Sequence, residues 1–311
     1  MNKNCIVNAG IRLTRRCNMK CMYCNIQNTD RGELSYDKWK EAINIIKELG
    51  ATEIVILGGE PTLYPKIIEL VDYISNQLKM TCNLTTNAFG NFKIAAQLFN
   101  IGLNSLGVSI DNLELKKSIS PLKSKNGLKL IDYLIQNCEN PSITNYTVLN
   151  KNNVNTIVDL IKYMNDKGVY TYILPFHWGN EITFDHRKNN KKFAFTSDED
   201  LKLYSQAIDK IIELKKSGVR IKNSTEFLEM SKKHIKELNW KCSGLSELRI
   251  DSDGKLVCCC DKIGNVNSSF TIFDLKNNLE QFFLAREDDA NICKGCLWPS
   301  SFEAELKKVK K

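Results

Sequence analysis

The 311-residue sequence predicts an α/β fold, a partial TIM-type (β/α)6 barrel with a small cysteine-rich segment at its C-terminal end. Three features point to it. Short β-branched runs alternate with runs of helical period from Ile11 to Lys222, the order that builds a parallel sheet wrapped by helices. Gly50, Gly102, Gly168 and Gly218 each end a helical stretch, where a left-handed cap is cheapest without a side chain. At Trp240 the composition shifts to glycine, aspartate and cysteine, as in a loop-rich, metal-stapled unit.

Taken in order, Ile11 to Thr14 is a short apolar stretch leading into a cysteine loop, and a helix runs from Ser35 as N-cap to Gly50 as stop. Thr52 to Leu57 reads as a buried strand and Lys66 to Lys79 as a helix; Thr81 to Thr85 and Phe92 to Asn100 form the next pair. Leu106 to Ile110 with Asn126 to Asn137, then Thr144 to Leu149 with Val154 to Lys167, continue the alternation, and Val169 to Leu174 supplies a sixth strand. A long helix from Ser197 to Gly218, a strand-like Val219 to Lys222 and a helix from Ser224 follow. The expected division is residues 1–222 for the barrel and 223–311 for the cysteine-rich unit. In such barrels the loops after the strands carry the chemistry.

Hydrophobic residues make up 42% and charged residues 26%, and no apolar run reaches a membrane-spanning length. Met1 to Ala9 carries no signal-peptide core. A cytoplasmic protein is expected, and there twelve cysteines are kept reduced, so their clustering argues for metal or redox chemistry. The net charge of +8 is diffuse, with only Lys307 to Lys311 forming a basic run, so a nucleic-acid footprint is not expected.

Cys17-x3-Cys21-x2-Cys24 places three thiols within one loop after a strand. Soft thiolates suit iron-sulfur clusters or zinc, and a structural zinc site wants a fourth nearby ligand that this loop lacks. Three ligands on a four-iron cluster leave one iron open. This spacing, with Tyr23 before the last cysteine, resembles the signature loop of the radical S-adenosylmethionine (SAM) superfamily. Gly58-Gly59-Glu60-Pro61 after the second strand looks like that family's GGE motif, in which glycines allow close backbone approach to a ligand and the motif holds the methionine amino group of SAM. Thr85-Thr86-Asn87 is similar to its polar turn, Ser109 with Asp111 to its ribose-binding position, and Thr147 and Asn150 close the fifth strand near the same cavity. Each motif alone is also compatible with an ordinary turn or helix cap; their order on successive strand ends is what favours the resemblance. It implies two cofactors, a 4Fe-4S cluster and SAM, and a mechanism in which one electron splits SAM to a 5'-deoxyadenosyl radical that abstracts hydrogen from a substrate.

Cys242, Leu248 to Cys260 (LRIDSDGKLVCCC) and Cys293-x2-Cys296 form a second set, with Asp253-Gly254 as a hairpin turn. The set resembles the twitch variety of SPASM/twitch domains, and Gly264-Asn265-Val266 matches a turn of that family. The resemblance implies a second, auxiliary 4Fe-4S cluster on Cys242, Cys259, Cys293 and Cys296, with Cys258 and Cys260 as alternatives to Cys259. Four thiolates saturate a cluster, so this site is expected to move electrons. A four-cysteine zinc ribbon is the competing reading.

Cys5, Cys82 and Cys138 read as buried apolar thiols, and His177-Trp178 ends the sixth strand where a substrate contact competes with loop packing. The expected function is radical SAM chemistry on a peptide or small molecule, giving an oxidised, crosslinked or epimerised product, with an external electron donor such as flavodoxin or ferredoxin. Only sixteen residues precede Cys17, so a leader-recognition domain ahead of the barrel is not expected. The alternatives are a zinc- or cluster-stabilised nucleic-acid-binding protein and, within the enzyme class, a twitch-type alcohol dehydrogenase of antibiotic biosynthesis.

Overall fold

The computed structural model describes residues 6, 8–21, 24, 26, 32–90, 92–178, 191–243, 247–257 and 270–309. Seven parallel strands form one open sheet in the order β6-β5-β4-β3-β2-β1-β7. They are β1 (Asn8–Arg12), β2 (Glu53–Leu57), β3 (Thr81–Thr86), β4 (Ser105–Ser109), β5 (Ile143–Leu149), β6 (Tyr170–Pro175) and β7 (Glu247–Ile250). The sheet is a half-barrel, with β6 and β7 as its two edges. The (β/α)6 expectation therefore holds for the first six strands.

Helices α1 (Tyr36–Glu48), α2 (Ile67–Asp72), α3 (Phe92–Asn100), α4 (Pro121–Asn137) and α5 (Ile157–Asp166) follow strands 1 to 5. Ser35 caps α1 by accepting the Lys38 N–H, as the sequence predicts. The helix expected over Lys66 to Lys79 instead passes from α2 into a π-helical turn, Tyr73–Gln77, closed by Leu78 N–H on the Tyr73 carbonyl. Helix α4 starts five residues before the expected Asn126, because Pro121 occupies its first turn, where a missing N–H costs nothing.

The seventh strand is the main departure from the sequence reading. Glu247–Ile250 pairs in parallel with β1, Asn8 opposite Glu247 and Ile11 opposite Ile250. The same segment begins the predicted hairpin: Asp251 N–H donates to the Lys255 carbonyl, Gly254 takes a φ of +84°, and Val257 N–H returns to the Arg249 carbonyl. The arm is read twice, once by its antiparallel partner and once by the barrel edge. At the other edge, the strand-like Val219 to Lys222 makes a single parallel bridge, Ile221 with Thr171.

After α6 (Asp198–Lys216) and α7 (Thr225–His234) come α8 (Leu275–Ile292) and α9 (Pro299–Val309). One hydrophobic core extends from Ile6 through Trp39 and Ile56 to Phe227, Leu248, Phe282 and Leu297. Residues beyond 222 thus share the barrel's core and contribute a strand to its sheet. No helix among the described residues is long and apolar enough to cross a membrane.

Candidate active site

The loops at the C-terminal ends of β1 and β2 are joined by backbone bonds. Gly59 N–H donates to the Thr14 carbonyl and Glu60 N–H to the Arg16 carbonyl, both at 2.8 Å. The glycines allow this approach. A Cβ on Gly58 would stand 2.9 Å from the Thr14 oxygen, and one on Gly59 would overlap the Arg15 and Arg16 carbonyls. The close approach that the sequence assigned to a ligand is made first by the chain's own cysteine loop.

Glu60 is fully buried behind this junction. Its Oε1 accepts Thr62 Oγ1 at 2.7 Å and Thr86 Oγ1 at 2.8 Å, and its Oε2 accepts the Asn87 N–H at 2.8 Å. Burial pushes the carboxyl above its ordinary range, against the lowering effect of these donors. Glu60 lies behind the wall of the cavity, while Gly58 and Gly59 form part of it. Pro61 opens the 3-10 turn Pro61–Leu63 that the Glu60 side chain caps.

A cavity of about 220 Å³ opens where these loops meet. Cys17, Cys21 and Cys24 line it together with Gly58, Gly59, Thr86, Asn87 and Ser109. Asn87 Nδ2 lies 3.5 Å from Cys17 Sγ, Ser120 Oγ lies 3.3 Å from Cys21 Sγ, and Cys24 packs with Ile26 and Val257. Burial raises the Cys17 thiol, and the nearby Glu60 and Cys21 raise it further, against a lowering backbone hydrogen bond at Met19. A thiolate at Cys17 is therefore favoured by positive charge beside it, which a cluster would supply. Among the described residues no three of His, Cys, Asp or Glu converge as a single metal ion requires. Three thiols lining one cavity are the soft donor set that an iron-sulfur cluster takes.

Asp111 and Asn150 are placed behind the cavity. Asp111 Oδ1 accepts the Val148 N–H at 3.1 Å, and its Oδ2 faces Lys123 Nζ at 3.1 Å, both side chains being buried. It is Lys123 that lines the cavity. Asn150 serves its own turn, donating to the Val148 carbonyl and accepting the Asn152 N–H. Thr147 is buried. Tyr23, Cys259 with its alternatives Cys258 and Cys260, and the Gly264-Asn265-Val266 turn lie outside the described residues.

The sequence reading missed Arg12, Lys123 and Trp298 as lining residues. Arg12 carried one signal, a charge at the end of an apolar strand. Trp298 comes from the C-terminal cysteine segment: Leu297 N–H donates to His177 Nε2 at 3.3 Å, and the His177 and Trp298 rings lie 5.7 Å apart. His177 thus ties that segment to the end of β6. Nearby, Cys296 N–H donates to the Trp240 carbonyl at 2.8 Å, which brings the segment of Cys242 against that of Cys293 and Cys296.

A family model described as the radical SAM superfamily matches residues 11–164, the span that holds the loop of Cys17, Cys21 and Cys24 and the segments of Gly58–Pro61, Thr85–Asn87 and Ser109. The chain belongs to the radical SAM superfamily. Its similarity to curated proteins extends further along the chain. It is 25% identical over 270 residues to a probable GTP 3',8-cyclase of Pyrococcus abyssi, covering 82% of this chain and 84% of the relative. A probable GTP 3',8-cyclase of Methanocaldococcus jannaschii is 26% identical over 285 residues, covering 88% and 91%. Among solved structures, Streptococcus suis SuiB bound to precursor peptide SuiA shares the fold with a TM-score of 0.70 at 18% identity, over 90% of this chain and 65% of that one. Native anSMEcpe with bound AdoMet and Kp18Cys peptide gives 0.61 at 18% identity, over 93% and 86%.

Proposed function

We propose that this radical SAM enzyme cleaves SAM reductively and abstracts a hydrogen atom from a peptide or small-molecule substrate, giving an oxidised, crosslinked or epimerised product. The supporting observation is that Cys17, Cys21 and Cys24 share one cavity with Gly58, Gly59, Thr86, Asn87 and Ser109 at the strand ends. The three cysteines would hold a 4Fe-4S cluster, with SAM bound beside it in the same cavity. When bound, the pair supplies a 5'-deoxyadenosyl radical. The chain's own part is to fix the cysteine loop through Gly59 and Glu60, to hold Lys123 in the lining against Asp111, and to keep water from the cavity with Met19, Ile26 and Leu57.

Residues 223–311 are proposed as a twitch-like unit whose Cys242, Cys259, Cys293 and Cys296 hold an auxiliary 4Fe-4S cluster. The backbone bond between Cys296 and Trp240 supports a shared site for three of them. A flavodoxin or ferredoxin would deliver the electron, in a reducing cytoplasm.

A second reading, cyclisation of GTP, is favoured by the names of the relatives. The charge pattern of the cavity favours the first. Among the described residues, its two lining cations each face a buried carboxylate, Arg12 with Asp251 at 3.7 Å and Lys123 with Asp111 at 3.1 Å. A triphosphate would have to displace those partners.

Anaerobic reconstitution followed by SAM and dithionite tests the proposal: 5'-deoxyadenosine should form, and adding GTP should give no guanosine-derived product. A protein holding only zinc, or unable to split SAM when reduced, would refute the first part. A cyclised guanosine product would decide for the second reading.

A further inference from the structure

Ser120 is the N-cap residue of α4, a position where a serine hydroxyl ordinarily accepts an N–H of the first helical turn. Here it makes no such bond. Its Oγ lies instead 3.3 Å from Cys21 Sγ, a partner 99 positions away in sequence. The backbone around it is held independently. Ser120 N–H donates to Ser118 Oγ at 3.1 Å, Ser118 Oγ meets Ser124 Oγ at 3.0 Å, and Ser124 N–H donates to the Ser120 carbonyl at 3.1 Å. Ser120 is also only 6% exposed, so water competes little for its hydroxyl.

Building on the cluster site proposed above, we propose that Ser120 is a positioning residue that raises the reduction potential of the cluster through a hydrogen bond to Cys21. A thiolate bound to iron has no proton, so the serine must be the donor. The added electron increases negative charge on the ligand sulfurs, and a donor to sulfur stabilises that state more than the oxidised one. The positive end of the 17-residue helix α4, which Ser120 heads, acts in the same direction. Cys17 instead takes the Met19 backbone and Asn87 Nδ2 at 3.5 Å, the latter shared with Asn18 Oδ1 at 3.0 Å, so Ser120 addresses a different sulfur.

The test is a redox titration of the reconstituted full chain, following the EPR signal that changes when SAM is added, for the wild type, Ser120→Ala and Ser120→Thr. At a fixed potential Ser120→Ala should lower the reduced-to-oxidised ratio by up to about tenfold, which is about 59 mV for a one-electron couple. Ser120→Thr, which keeps the hydroxyl, should stay near the wild type. An unshifted alanine variant with full iron and sulfide would overturn the proposal, as would equal shifts in both variants. Loss of iron from Ser120→Ala would also overturn it, because the serine would then hold the loop rather than tune the cluster. Failure of the wild type to assemble a cluster would refute the underlying reading, which iron and sulfide analysis detects separately.

Discussion

Glu60 and Asn87 are joined across two strand ends: the buried Glu60 Oε2 accepts the Asn87 backbone N–H at 2.8 Å, while Oε1 accepts the hydroxyls of Thr62 and Thr86. One carboxylate thereby holds the loops of β2 and β3 that line the cavity. Glu60→Gln replaces one acceptor oxygen with a donor facing other donors, and should cost about 1–3 kcal/mol in denaturant unfolding. SAM cleavage should fall with it, since both loops border the cavity.

The same group sets a pH dependence. Burial raises the Glu60 carboxyl above its ordinary 4.5, so the folded chain binds that proton more tightly than the unfolded one. Its contribution is full below pH 4.5 and is lost as pH rises through the folded value. Unfolding curves measured upward from pH 4.5 should show this decline in the wild type and a flatter profile in Glu60→Gln.

Gly59→Ala should be among the most damaging small changes in the protein. The added methyl meets the Arg15 and Arg16 carbonyls, which are backbone and cannot swing aside. Overpacking of this kind costs about 1–3 kcal/mol. It also displaces the residues just before Cys17, so iron bound after reconstitution should drop more than stability alone explains.

Asp251 is completely buried, receives a two-pronged contact from Arg15 and faces Arg12 at 3.7 Å. It anchors the hairpin to the strand that leads into the cysteine loop. Asp251→Ala leaves two buried guanidinium groups without their carboxylate and should cost about 3–5 kcal/mol, read as a lowered midpoint in thermal or denaturant unfolding.

Replacing Cys17, Cys21 or Cys24 with alanine should abolish 5'-deoxyadenosine formation. Cys293→Ala should spare part of it while iron falls from about eight to about four per chain, the amount in one four-iron cluster. Equal loss of product in all four variants would argue against two separate clusters.

The local pattern of the chain was enough to determine the alternation of β1 to β6 with their helices, and the loops on which the motifs fall. A half-buried strand, a capped helix and a cysteine loop each leave their mark within about ten residues, through periodicity and cap chemistry. Cys17, Cys21, Cys24, Gly58, Gly59, Thr86, Asn87 and Ser109 could therefore be named in advance, and they line one cavity. Tertiary structure alone decided which neighbours those residues meet. Glu247–Ile250 looks like a hairpin arm in sequence because pairing with β1, more than two hundred positions away, leaves no local trace. Lys123 and Trp298 enter the cavity for the same reason, and Asp111 and Glu60 turn out to brace its walls from behind. Hydrogen bonds and ion pairs between distant segments depend on how the sheet curls, and that curvature is a property of the assembled strands rather than of any one of them.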